Sequence, residues 1–176
     1  MTEISNEEKK TNPLKQEPMS PLAKKFYSIL KNGTPLYQVK GMSKQYLENL
    51  YSIAYNLYSA EKYEEAGRIF QTIVFYNHLD KKSWLGAGGS AEMLKQYDKA
   101  LIAYSYISLL DKSDPLPALH AFDCHFALKN YPQALSALEA VLLLSSKKPE
   151  YQEIRKRAEF LRNMLHSTIQ ESKTKS

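Results

Sequence analysis

The sequence is poor in the residues that build disulfide-linked or membrane-spanning proteins. It has a single cysteine, Cys124, so no intrachain disulfide can form, and this fits a reducing cytoplasm. Its longest apolar run, Ala140–Leu144, is far shorter than the roughly 20 residues that a membrane-spanning helix needs. We therefore expect a soluble, cytoplasmic protein with no stable membrane association.

Signals for export and for nucleic-acid binding are also weak. Residues 1–15 mix acids and lysines with no apolar stretch after a basic start, so no secretory signal is predicted. The net charge is +5, and residues 147–176 hold eight Lys or Arg against four acids. Because basic helix faces are mostly solvated surface, we expect no nucleic-acid partner.

Catalytic and metal-binding patterns are incomplete. His120, Asp123, Cys124 and His125 cluster on one predicted helix, but a zinc site needs three or four converging ligands and no second cluster occurs. Adjacent Cys124 and His125 point about 100° apart, which disfavours a nucleophile pair. The segment Gly86–Ala91 matches a dinucleotide fingerprint but lies inside a predicted helix rather than after a strand. We predict no enzyme activity, no cofactor and no metal.

A Tyr-x-x-Ala frame occurs three times with equal spacing, at Tyr63–Ala66, Tyr97–Ala100 and Tyr131–Ala134. Both steps are 34 residues, the period of tetratricopeptide repeats, whose units of two antiparallel helices stack into a solenoid with a concave face. We therefore predict an all-α tetratricopeptide-repeat solenoid whose function lies in a groove. Aligning the alanines places the three units at residues 47–80, 81–114 and 115–148.

The flanking segments have their own signals. Residues 1–20 are polar and predict a disordered arm. Ser20 and Pro21 are an N-cap followed by a first-turn proline, which predicts a helix through Lys31 within an N-terminal helical region at 21–46. Ser43 is a second N-cap candidate. Residues 149–169 predict a C-terminal capping helix, and 170–176 a disordered tail.

The repeat register predicts which residues fill the core. Small residues at positions 8 and 20 let the two helices of a unit approach closely, while bulky residues at positions 4, 7 and 24 fill the layers. In the first two units the bulky positions hold Leu50, Ile53, Phe70, Trp84, Ala87 and Tyr104. Phe122 occupies position 8 of the third unit, where a small residue is usual, so we expect the packing and pocket of that unit to differ from those of the first two.

Three tyrosines define the most distinctive surface. Tyr51, Tyr55 and Tyr58 stand at positions 5, 9 and 12 of the first inner helix, on a different face from the Leu50, Ile53, Ala54 and Leu57 stripe. Phenols combine apolar area with a hydroxyl and lose little rotamer entropy on contact, which suits an extended peptide. The alternative is that these rings pack beneath the N-terminal helix as core.

The same face continues along the second and third inner helices. The second contributes Leu85, Gly89, Glu92 and Met93, where Gly89 leaves room for the backbone of a bound peptide; the third contributes Leu119, Asp123 and Phe126. Because the surface is apolar with few charges, we expect a hydrophobic ligand segment.

Several stretches together resemble one family. They are Leu50–Tyr58, Lys62–Ala66, Trp84–Gly88, Gln96–Ala100 and Tyr104–Tyr106. The chain resembles, over about residues 22–165, the class II, tetratricopeptide-type chaperones of bacterial type III secretion systems. The resemblance implies a non-enzymatic cytoplasmic chaperone that holds an extended segment of the hydrophobic, pore-forming translocators in its groove. It also implies a homodimer, formed through residues 21–46 when no cargo is bound.

Tetratricopeptide solenoids also serve two other binding functions. Heat-shock co-chaperones clamp a C-terminal carboxylate with Lys, Asn and Arg, but the matching positions here are Tyr51, Tyr55, Gly86, Leu116 and His120, which cannot form that clamp. A generic scaffold that assembles another protein complex stays open as the alternative.

Overall fold

A computed structural model describes residues 33–146 and 148–174, with side chains described as far as residue 170. The described residues from Pro35 onward form one compact unit. The arm at 1–20 and the helix expected from Pro21 to Lys31 lie outside the described residues. None of the described helices has the length and apolarity needed to cross a membrane.

The described residues form eight α-helices, which pack in sequential antiparallel pairs as the repeat predicted. The pair α2 and α3 makes the first unit, α4 and α5 the second, and α6 and α7 the third. The bounds are α1 Leu36–Val39, α2 Lys44–Ser59, α3 Tyr63–Tyr76, α4 Lys81–Met93, α5 Tyr97–Leu110, α6 Leu116–Ala127, α7 Tyr131–Ser145 and α8 Gln152–Thr174. A 3₁₀ turn, Pro149–Tyr151, precedes α8. The all-α tetratricopeptide fold is thereby confirmed.

The helix ends follow local chemistry. Ser43 caps α2 as predicted, because its Oγ accepts a hydrogen bond from the Tyr46 backbone N–H at 3.2 Å. Helix α8 runs to Thr174, beyond the end predicted at residue 169 and into the stretch expected to be a disordered tail.

The turn inside each unit uses a left-handed residue that is not glycine. Glu61, Lys95 and Lys129 have φ of 61°, 58° and 59° and are again spaced by 34 residues. The next backbone N–H in each case bonds back to a carbonyl of the preceding helix, from Lys62 to Leu57, from Gln96 to Ala91 and from Asn130 to His125. This is the Schellman closure, which satisfies the last carbonyls of each inner helix.

The buried positions follow the predicted register. Ala66, Ala100 and Ala134 are fully buried where the two helices of each unit approach. The bulky position 24 is buried in all three units, as Phe70, Tyr104 and Leu138. A Cβ added at Gly88 would lie 2.8 Å from the Tyr104 ring, so close packing explains that glycine.

Two residues depart from the expected packing. Ile53 was expected to fill the space between layers, but it is 50% exposed. The equivalent Ala87 lies between two units, whereas no repeat precedes α2 within the described residues. Phe122 is buried in a cluster that includes Ala158 and Leu165 of α8, so the bulky ring at a small-residue position fills space beneath the capping helix.

Candidate peptide-binding groove

A cavity of about 410 Å³ opens between α2 and α4, and we call it the α2–α4 cavity. It is lined by Tyr51, Tyr55, Tyr58, Phe70, Lys82, Leu85, Gly86, Gly89, Glu92, Met93, Tyr104 and His120. The structure thus brings together the residues predicted on the first two inner helices. The residues predicted on the third, Leu119, Asp123 and Phe126, do not line this cavity.

The wall formed by α2 combines one anchored ring with one open ring. Tyr51 packs edge-on against buried Phe70 with ring centroids 5.6 Å apart, and the Lys82 Nζ lies 4.3 Å above its ring centroid. Tyr55 is stacked on Tyr51 at 6.4 Å, yet its side chain is 56% exposed. Tyr51 therefore belongs partly to the core, while the apolar ring and the hydroxyl of Tyr55 are exposed.

Tyr58 closes the far end of this wall. Its ring packs edge-on against Tyr63 with centroids 5.2 Å apart. A Cβ at Gly89 would lie 3.2 Å from the Tyr58 hydroxyl, so the missing side chain at Gly89 makes room for the protein's own phenol. Burial raises the pKa of both Tyr51 and Tyr58, which keeps these phenols protonated.

The wall formed by α4 is apolar and open. Leu85 and Met93 are large exposed hydrophobic residues on the cavity side of this helix. A second cavity of about 330 Å³ adjoins the first, because Leu85 and Lys82 line both. Its other walls include Ile107, Leu116 and Pro117. Leu85 therefore borders both hollows.

The C-terminal end of α4 carries an ionised group held by a neighbouring phenol and imidazole. The Tyr104 hydroxyl donates to Glu92 Oε2 at 2.6 Å, and His120 Nδ1 lies 3.4 Å from the same oxygen. Burial works to raise the pKa of Glu92, but the hydrogen bonds from His120 and Tyr104 outweigh it, so the pKa is lowered. Burial and the nearby Glu92 carboxylate raise the pKa of Tyr104 strongly. The pair is a carboxylate facing a neutral phenol.

The residues predicted on α6 lie elsewhere. Leu119 is only 6% exposed and belongs to the core cluster with Phe122, while Phe126 packs against the same cluster. Asp123 lies 4.0 Å from Arg157 of α8. The nearby Cys124 is fully buried, and burial together with Glu92 and Asp123 raises its thiol pKa to about 12, so it is not a nucleophile.

Sequence reasoning missed five lining residues: Phe70, Lys82, Gly86, Tyr104 and His120. One of them had a readable signal, because Lys82 stands at position 2 of its unit, which faces the groove in such repeats. Phe70 and Tyr104 were assigned only to the core, yet each shows part of its ring to the cavity.

Comparison with known proteins gives the chain a family. No family model matches it. The low calcium response locus protein H of Yersinia pseudotuberculosis is 35% identical over 127 residues, which are 72% of this chain and 76% of that protein. The crystal structure of the Yersinia enterocolitica type III secretion chaperone SycD with a peptide of the translocator YopD is 32% identical, with a TM-score of 0.67, over 72% of this chain and 96% of that one.

The chain belongs to the class II translocator chaperones of type III secretion. A type III secretion complex from Aeromonas hydrophila has the same fold, with a TM-score of 0.78 and 29% identity over 84% of this chain and 98% of that one. SycD has also been crystallised as a dimer. As members of this family are secretion chaperones, the chain is a chaperone and not an enzyme.

Proposed function

We propose that this translocator chaperone binds an extended apolar segment of a translocator in the α2–α4 cavity, in the bacterial cytoplasm. The observation that carries the proposal is an open hollow with exposed Tyr55 on one wall and exposed Leu85 and Met93 on the other. Exposed apolar patches with a polar edge are typical of binding sites. The SycD complex with a YopD peptide supports the same use of the fold.

Contact with the cargo is assigned to predicted residues that line the cavity, namely Tyr51, Tyr55, Tyr58, Leu85, Gly89, Glu92 and Met93. Leu119 and Phe126, which pack in the core of the third unit, are not assigned to this contact.

Temporary shielding explains why a groove suffices. A translocator later enters a membrane, so its apolar segments would aggregate or insert early if left exposed. A short segment held with micromolar to nanomolar affinity, roughly −8 to −12 kcal/mol, stays covered and is still released at the secretion apparatus.

Coexpression followed by a matched pair of variants tests the proposal. The full chain is coexpressed with each hydrophobic protein of its genome, and the protein that becomes soluble only with it is taken as cargo. Tyr55→Asp is expected to weaken cargo binding by roughly 30-fold, since aromatic anchors at interfaces are worth about 2 kcal/mol or more. The matched control is Ile102→Asp, since Ile102 is 66% exposed on α5 and does not line the cavity.

Calorimetric titration with the cargo and thermal melts of both variants separate binding from folding. The proposal that the cargo binds in the α2–α4 cavity is supported if both variants melt at the wild-type temperature and only Tyr55→Asp loses binding. Equal losses in the two variants, or unfolding of Tyr55→Asp, contradicts it. A large polar complex as the sole partner found by coexpression favours the scaffold alternative.

We also propose that the cargo-free chaperone is a homodimer formed through residues 21–46. The SycD dimer supports a homodimer, and the choice of residues 21–46 follows the family resemblance. Sedimentation equilibrium of the full chain, with and without cargo, measures it. A monomer at every concentration in the absence of cargo would rule the homodimer out.

A further inference from the structure

A second hollow lies between the outer helices α5 and α7, with α6 beneath it, and we call it the α5–α7 crevice. Its volume is about 320 Å³. Pockets of roughly 300 Å³ and more are large enough to bind small organic groups. The crevice and the α2–α4 cavity have only Tyr104 in common among their lining residues, so the two are separate sites. Small side chains form much of its lining, namely Ser105 and Ser108 of α5, Ala118 and Ala121 of α6, and Ala137 and Ala140 of α7.

The second unit shows what fills the equivalent place. There, Trp84 of α4 is stacked on Tyr106 of α5 with ring centroids 4.4 Å apart. The Trp84 Nε1 also donates a hydrogen bond to the backbone carbonyl of His78, just after α3, at 2.8 Å. The residues 34 positions later are Ala118 and Ala140, and both line the crevice. The third unit therefore has methyl groups where the second unit has two aromatic rings.

This exchange gives the crevice its shape. Repeats of a solenoid bury their contacts against their neighbours at close-packed density, as the Trp84 and Tyr106 rings do. Because the third unit lacks both rings, the space for an aromatic side chain is present without the side chain. A flat ring with a polar edge, such as an indole or a phenol, matches what the second unit places there.

The crevice also has polar groups for the edge of such a ring. His125 of α6 lines it, and among the described residues no hydrogen-bond partner reaches its buried Nδ1 atom. Nearly all buried polar atoms have a partner, so this atom lacks a group that the described chain does not supply. None of the lining residues is Asp, Glu, Lys or Arg. A charged side chain would therefore lose its hydration there without gaining a counter-ion.

The mouth of the crevice is apolar and exposed. Leu109 of α5 and Leu143 of α7 are equivalent residues, 69% and 74% exposed, and each follows a lining residue by one helical turn. Residues 100–110 of α5 include no charged side chain, and α7 has only Glu139. Helices that are apolar on all sides are normally covered by other protein. The outer face of these two helices is thus unlike an ordinary solvated surface.

We infer that the α5–α7 crevice is a docking site for a second protein, which inserts a tryptophan or tyrosine flanked by apolar residues. The ring fills the place of Trp84 and Tyr106, and the flanking residues cover Leu109 and Leu143. The only tryptophan of the chain, Trp84, is packed and hydrogen-bonded within its own unit, so a second folded copy has no indole to insert. The site is independent of the cargo cavity.

A variant that fills the crevice from within tests the inference. Ala118→Trp with Ala140→Tyr, which we call the plugged variant, repeats the aromatic pair of the second unit in the third. Its midpoint in urea denaturation should equal or exceed that of the wild type, as is common when a hollow is filled. The matched control is Thr72→Tyr, which adds the same phenol at the equivalent position of α3, outside the crevice.

A second blocking variant keeps the test valid if the plugged variant does not fold. Ser105→Arg places a long side chain at the mouth from an exposed position of α5, where a substitution has little effect on stability. Like the plugged variant, it is expected to block the crevice.

Selection from a displayed library of random 12-residue peptides is run with the full-length wild type and the three variants as baits. We expect the wild type and Thr72→Tyr to select peptides with a tryptophan or tyrosine among apolar residues, and the two blocking variants to lose this class. Peptides held by the α2–α4 cavity should be selected by all four baits. Identical peptide pools from all baits would overturn the crevice site and leave the proposed function standing. A missing cavity class in every bait would contradict the proposed function alone.

Affinity and assembly measurements complete the test. In calorimetric titration into the wild type, replacing the aromatic residue of a selected peptide by alanine should weaken binding roughly 30-fold, as for an aromatic anchor at an interface. The plugged variant should bind the parent peptide at least as weakly, and equal binding by the two proteins contradicts the site. Sedimentation equilibrium without peptide should give the wild type and the plugged variant the same assembly. A changed assembly would assign the crevice to a second copy of the chain and overturn the inference of a different partner.

Discussion

The inner helices of the first and third units place equivalent residues in opposite environments. On α2, positions 5, 9 and 12 hold Tyr51, Tyr55 and Tyr58, and all three line a cavity. On α6 the same positions hold Leu119, Asp123 and Phe126, of which Leu119 is buried and Phe126 packs on the core. The comparison shows that a repeat position does not determine exposure, which depends on what covers the helix.

Two features account for the difference. Position 8 is Ala54 in the first unit and Gly88 in the second, but it is the large ring of Phe122 in the third. The third unit is also covered by α8, whose Ala158 and Leu165 join Leu119 and Phe122 in one cluster. The first unit is thus built to present its inner face, and the third to complete the core.

The largest expected effect comes from emptying the core of the third unit. Phe122→Ala restores the small residue typical of the repeat, yet it should lower the free energy of unfolding by about 3–5 kcal/mol because it leaves a cavity beneath α8. Urea denaturation measures this loss. Phe160→Ala is the control, because Phe160 is 69% exposed on α8 and should change stability by less than about 0.5 kcal/mol. A stable Phe122→Ala protein would mean that α8 closes over the gap.

A pair of glycines on α4 gives the next largest effect, with opposite signs. A Cβ at Gly86 would lie 2.5 Å from the ring of buried Phe70, which cannot move aside. Gly86→Ala gains helix propensity, but the overpacking costs more, so the free energy of unfolding should fall by a net of about 1–2 kcal/mol. At Gly89 the nearest atom is the Tyr58 hydroxyl at 3.2 Å, at the end of a side chain that can shift. Gly89→Ala should therefore keep or raise stability by up to about 1 kcal/mol.

The same pair separates folding from binding. Gly89→Ala narrows the α2–α4 cavity and should weaken cargo binding in calorimetric titration while its urea midpoint holds. A lower urea midpoint for Gly89→Ala than for Gly86→Ala would show that the rigid contact lies at Tyr58 rather than at Phe70.

Much of the fold was readable from the sequence because it follows a fixed period. The alanines at position 20 and the Ser43 cap identify the units and the start of α2, and both are local signals. The exposure of Ile53 was not predictable in this way, since burial at position 7 depends on what packs against the inner helix and not on the repeat itself. The extension of α8 to Thr174 was also missed, because a charged tail carries no clear stop signal.

The site was predictable where one helix carries it and not where two helices meet. The tyrosines on α2 share a face by spacing alone. The contact between Glu92 and His120 joins helices from two units, 28 positions apart, and its geometry depends on the buried Tyr104 that both residues touch. Spacing within a helix cannot predict such a contact.

The smallest expected effect concerns a feature in which the first and third units agree. Glu61 and Lys129 occupy the same left-handed turn position, which costs a residue with a Cβ about 1–2 kcal/mol relative to glycine. Glycine also loses more backbone entropy on folding, which offsets part of this gain. Glu61→Gly and Lys129→Gly should therefore each raise the free energy of unfolding, measured by urea denaturation, by about 0.5 kcal/mol. The control is Gln71→Gly, at an exposed position inside α3, which should lower the free energy of unfolding by about 1 kcal/mol. A gain in only one unit would show that the two turns, unlike their backbones, are held by different side-chain contacts.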